Sequence, residues 1–394
     1  MDLSPKGLSD LRGQLERLPF ELPGQPDPAG FTLPRLMKAP YPVRFRDSGL
    51  GPTIETVVKR ALASFGEELE PLLARDDINA FVLEELFQQA LPDMMPLLGV
   101  DRVSRAAVLV TVLAMCEQAP LFEVTPALLS LMQATDLRDS IKAEHLRLPA
   151  GRSLYIRMPT ADPAFQLWDG RKSYSLDGVL IRESVREDTI THRPYRIWDV
   201  LVASQLRDDS DDCMDDAYYL RQLAFPVEEE DQSIAQLMTR YERESYERGF
   251  LPKPTPGSSQ EALDSRMREA VLLACKILLY INMPGMRQQV HGERSALEKR
   301  SPRSAAKQAK LERRLRGTYD WIEVGPLADE VAHHDGNGGS DRPAVKMHFR
   351  RGHLRNQAYG KGYQDHRITW IKPTIVGTGH EREPVAAKSY RVHE

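Results

Sequence analysis

Cysteine is scarce: Cys116, Cys213 and Cys275 are the only three in 394 residues, and they stand far apart. They make neither a disulfide framework nor a paired zinc spacing, so a reducing cytoplasm is the expected compartment. No apolar run is long enough to span a bilayer. The longest, near residues 270–281, is interrupted by Cys275 and Lys276. The N-terminal residues lack a basic flank followed by an apolar core, so no signal peptide is expected. There is no Walker-type phosphate loop, no Gly-x-Ser-x-Gly elbow and no dinucleotide fingerprint. A formal net charge of −4 gives the whole molecule no pull toward nucleic acid. These absences predict a soluble protein without membrane, cofactor or metal.

What is present is a globular composition, 41% hydrophobic and 28% charged. The pattern along the chain predicts an α+β fold with an N-terminal helical bundle, a central antiparallel sheet, long helices and a C-terminal β-ribbon. Residues 1–52 hold nine prolines and read as a proline-rich, mostly extended arm, with Tyr41, Val43 and Phe45 among the residues able to dock it. Residues 53–147 read as a helical bundle throughout, with Thr125-Pro126 as a capped helix start. Residues 148–250 change period: strands are expected near 153–158, 174–184, 195–205 and 217–225, then a helix over Ser233–Arg248. Residues 260–317 read as a long helix, Gln260–Asn282, followed by a basic helical segment from Arg287 to Arg316. Residues 318–394 form the expected ribbon domain.

Two clusters suggest metal and fail on spacing. Asp208, Asp209, Asp211, Asp212, Asp215 and Asp216 lack the turn glycine of a calcium loop and read as a solvated loop. His333 and His334 are sequence neighbours, which rarely face one ion together.

The ribbon carries the functional signal. Val345–Arg351 and Arg367–Val376 are β-prone runs around a centre rich in Gly, Asn, Gln and Asp, the pattern of a hairpin with a long loop. Arg350, Arg351, His353, Arg355, Gln357, Tyr359, Lys361, Arg367, Trp370 and Lys372 are its candidate binding residues. Arginine forks engage phosphates or a guanine edge, Gln357 offers an amide, and Tyr359, Tyr363 and Trp370 offer stacking surfaces. The basic segment just upstream adds a second candidate polyanion surface.

Arg-Arg-Gly-His at 350–353, Tyr-Gly-Lys-Gly at 359–362 and Trp-Ile-Lys-Pro at 370–373 follow one another in an order that resembles the C-terminal block of a type V-A anti-CRISPR family. Leu148-Pro149-x-x-x-Ser153-Leu154-Tyr155-Ile156 and Leu278-Leu279-Tyr280-Ile281-Asn282-x-Pro284 are upstream echoes of it. Leu354 stands where an aromatic residue usually follows the histidine. The resemblance implies a phage- or plasmid-borne protein in the cytoplasm of a bacterial host. It further implies a non-enzymatic regulator that lowers production of a host defence protein by binding RNA, or a translating ribosome and its nascent polypeptide. Two alternatives remain open at this point. One is a ribonuclease using His348 and His353 with Arg350. The other is a protein-binding inhibitor that touches no nucleic acid.

Overall fold

A computed structural model describes residues 38–47, 112, 115–116, 119–149, 151–158, 166–168, 173–187, 192–205, 217–225, 232–247, 254–286, 288–302, 304–326, 348–350, 352–372 and 374–376. The expected helices between residues 53 and 111, the acidic loop at 208–216 and the His333–His334 pair lie outside them.

The strands expected from the change of period are there. β3 (Ser153–Arg157), β5 (Ser173–Glu187), β6 (Pro194–Ser204) and β7 (Ala217–Phe225) form an antiparallel meander, and β4 (Gln166–Trp168) pairs with β5. The sheet does not stop there. β1 (Leu121–Val124) runs parallel to β3 on one side and to β9 (Asp320–Val324) on the other, and β8 (Gln288–Gly292) closes that end. The order is β7-β6-β5-β3-β1-β9-β8, so the central sheet is mixed rather than purely antiparallel. A helical reading of residues 53–147 also misses β1 and β2 (Thr135–Leu137). Runs of four and three residues are too short for periodicity to separate from the helices around them.

Helices cover one face of this sheet. α4 (Ser259–Ile281) buries Ala270, Ala274, Ile277, Leu278 and Ile281 in one cluster with Leu154, Ile156, Val179, Ile181, Trp198, Val200 and Val202. Its start follows the capping-box logic. The Glu261 N–H donates to Ser258 Oγ at 3.2 Å, while Glu261 Oε2 accepts from the Gly257 N–H at 2.6 Å. α3 (Ile234–Glu247) adds Ile234, Leu237 and Met238 to the same core. α2 (Pro126–Gln133) begins as expected, with Thr125 as N-cap and proline in its first turn.

The proline-rich arm is not extended where it is described. Residues Tyr41–Asp47 form helix α1, because Pro42 falls in the first turn, where its missing N–H costs no bond. Tyr41, Val43 and Phe45 are buried, as docking requires. A polar lock holds them. Asp177 Oδ2 accepts from the Tyr155 hydroxyl at 2.7 Å and from the Tyr41 N–H at 3.0 Å; Arg157 Nε reaches Oδ1 at 3.4 Å. Arg44 Nη1 lies 3.9 Å from the same carboxylate, and its guanidinium also donates to the Ala39 and Ser204 carbonyls. Burial, reinforced by Asp177, pushes the Tyr155 hydroxyl well above its ordinary pKa.

Candidate partner-binding hairpin

The C-terminal ribbon is one hairpin in a single register. β10 (His348–Arg350) pairs with β13 (Thr374–Val376), and β11 (Gly352–Tyr359) pairs with β12 (Asp365–Ile371). The long loop expected between the β-prone runs is a strand as far as Tyr359. Only Gly360–Gln364 turns, around a 3-10 turn at Lys361–Tyr363. Asn356, Gln357 and Ala358 are weak strand formers on their own. Pairing to β12 and the anchorage of Leu354 in the protein core hold them extended.

Gly360 is required twice over. Its φ of +79° lies in the left-handed region, and a Cβ there would come 2.5 Å from Asp365 Oδ2.

Strand alternation divides the hairpin into two faces. Leu354 and Trp370 are partners in register on the inner face, where Leu354 is fully buried. Trp370 was expected to stack outward; it lies inward instead. Its Nε1 donates to Thr135 Oγ1 at 3.1 Å and its ring meets Tyr280 edge-on at 5.6 Å, while Lys372 Nζ sits 5.7 Å over it. β11 also pairs in parallel with β2, which sets Thr135 beside Gly352. Trp370 therefore anchors the hairpin to the body. His353 is buried as well, so this imidazole is not displayed. Arg350 pairs with Thr374 through the backbone, and Arg351 lies outside the described residues.

The opposite face keeps the remaining candidates together. Arg355 stands across from Thr369, Gln357 from Arg367, and Tyr359 from Asp365. The Arg367 guanidinium carbon lies 5.0 Å above the Tyr359 ring centre. Arg355 is half-buried, and its Nε makes no hydrogen bond among the described residues. Lys361 and Tyr363 occupy the exposed tip. Among the described residues this face and tip thus carry three cations, Arg355, Lys361 and Arg367, and one carboxylate, Asp365.

The basic segment upstream is broken up rather than one helix. β8 takes residues 288–292 into the sheet, α5 spans Glu293–Glu298, and α6 spans Ala305–Leu315. Arg294 is consumed structurally: it donates to Glu298 Oε1 at 2.7 Å and to the carbonyls of Leu315 and Thr318. On α6, Lys307, Lys310, Arg313 and Arg314 are exposed, no residue of the helix is buried, and Glu312 is its only acid.

Thr135, Asp177 and Arg44 were not among the candidate site residues, and Tyr280 entered only through an upstream family echo. Each acts through a partner distant in the chain: Trp370 for Thr135, 235 residues away, Tyr41 for Asp177, 136 away, and Ser204 for Arg44, 160 away. Among the described residues no group of three His, Cys, Asp or Glu side chains is arranged to hold a metal ion, and no helix is long and apolar enough to cross a membrane.

Fold and site together define an α+β protein with a mixed sheet on a helical core and a cationic, aromatic hairpin anchored beside it. The chain belongs to the AcrVA2-like family, the Anti-CRISPR type V subtype A2 family, which matches residues 122–378. Membership gives it an anti-CRISPR, anti-defence role, and the match runs through every element from β1 to β13. The crystal structure of AcrVA2 is similar at 14% identity and a TM-score of 0.45, covering 78% of this chain and 93% of that one. Comparison with curated protein sequences gives no match.

Proposed function

We propose that this protein, carried by a mobile element, lowers production of a host defence protein by binding RNA, free or on a translating ribosome. The outward face of the β11–β12 hairpin is the gripping surface. The observation that carries this reading is the gathering of Arg355, Gln357, Tyr359 and Arg367 on one face, with Lys361 and Tyr363 at the tip. Guanidinium groups supply phosphate contacts, the amide offers base-edge pairing, and the tyrosines offer flat surfaces for bases. The exposed cations of α6 supply a second contact for the same polyanion.

The ribonuclease alternative loses support, since His353 is buried and so is not available on one side of a phosphate. The test is RNA binding measured across a salt series. Arg367→Gln with Lys361→Gln should weaken binding and reduce the slope of log K against log salt by about 1.4, the release expected from two fewer phosphate contacts to a single strand. An unchanged slope in a folded double variant defeats the RNA reading. A single polypeptide captured at high salt, with no RNA bound, would favour the protein-binding inhibitor.

A further inference from the structure

Tyr363 is the most exposed tyrosine among the described residues, at 74%, and it sits at the outermost turn of the hairpin. Its φ of 57° is one that side-chain-bearing residues rarely adopt, and it follows Gly362 at φ +73°. The Tyr363 N–H is tied back to the Gly360 carbonyl at 3.3 Å, which fixes the turn. A tight turn of this kind is ordinarily filled by Gly, Asn or Asp. Here it carries a large ring that makes no ring contact among the described residues. Tyr359, 42% exposed, is already partnered by the Arg367 guanidinium. The tip therefore offers one bare aromatic surface beside a second that is backed by a cation.

We propose that the hairpin tip takes an unpaired base of single-stranded RNA onto the Tyr363 ring, in a sequence-tolerant way; this deepens the RNA-binding reading above and rests on it. The chemistry selects against a duplex. A-form RNA buries its bases in the stack and offers proteins phosphates, 2′-hydroxyls and a shallow groove. Lys361, Arg355 and Arg367 would serve such a surface alone and leave Tyr363 in water. Every base has a π face, so a stacking platform flanked by cations binds single strands with little regard to sequence.

The full chain is titrated with a short single-stranded RNA carrying a fluorescent adenine analogue, and with the same strand annealed to its complement. The single strand should bind about 10-fold or more tightly than the duplex, with the analogue's emission quenched by stacking. Tyr363→Ala should lose about 10-fold in affinity and the quench while keeping the salt slope, and Tyr363→Phe should keep both. Tyr363→Gly removes the ring and relaxes the backbone, so it should match the alanine variant without a folding penalty. Equal binding of duplex and single strand, or wild-type affinity in Tyr363→Ala and Tyr363→Gly, overturns the inference and leaves salt-dependent RNA binding intact. Absence of any RNA binding by the wild-type chain at low salt defeats the RNA reading itself, and this inference with it.

Discussion

Asp177 shows how one side chain can carry a large share of a tertiary contact. Its carboxylate holds Tyr155, Arg157 and the first turn of α1, with Arg44 buried beside it. Removing the carboxylate leaves a buried guanidinium without its counter-charge, so Asp177→Ala should cost about 3–5 kcal/mol in urea unfolding. Arg44→Met combined with Asp177→Asn should cost less than the two single changes added together, because the pair is lost as a unit. Asp320 makes a different kind of contribution. Burial alone would raise its pKa, but the Ser295 hydroxyl and N–H, the Arg294 N–H and the Arg294 charge outweigh burial and hold it below 3.8. A depressed carboxylate stabilises the fold at pH values above its unfolded pKa and loses that contribution as pH falls through its folded pKa. The stability difference between the wild type and Asp320→Asn should accordingly shrink as pH drops below about 3.8 in acid titration of the unfolding midpoint. A gap that stays constant through that range would exclude the linkage.

Among the elements, the hairpin is the one whose reading changed most. Both β-prone runs do pair, His348 with Val376 and Phe349 with Ile375, but the same register continues through the supposed loop to Tyr359. Gly360 is the hinge of that register, so Gly360→Ala should fray the tip. Hydrogen exchange at the amides of residues 357–367 should rise, while the amides of α4 remain protected. The long helix was legible almost to the residue, expected over Gln260–Asn282 and found over Ser259–Ile281. The basic segment was not. Its charges read as one helical face, yet Gln288–Gly292 answered to β9 and became a strand.

For the molecule as a whole, the hairpin and the sheet share one core. Leu354, in β11, belongs to the same buried cluster as Val179, Trp198 and Ile277. Leu354→Ala should therefore cost about 2–5 kcal/mol and lower the midpoint of a single global transition. Separate unfolding of the hairpin, with the sheet's transition unmoved, would contradict a shared core.

The sequence by itself determined the meander β3 and β5–β7, the helices α3 and α4, the capped start of α2 and the family, because periodicity, caps and local order act over a few residues. It also marked the hairpin as the charged, aromatic end of the chain. Tertiary structure alone decided that β1 and β9 complete the sheet, that Trp370 turns inward, that His353 is covered, and that Arg355, Gln357, Tyr359 and Arg367 share the opposite face. The reason is physical: which face of a strand meets solvent depends on its register and on what covers it. Those partners lie far away in the chain, at Thr135 and Tyr280 for Trp370.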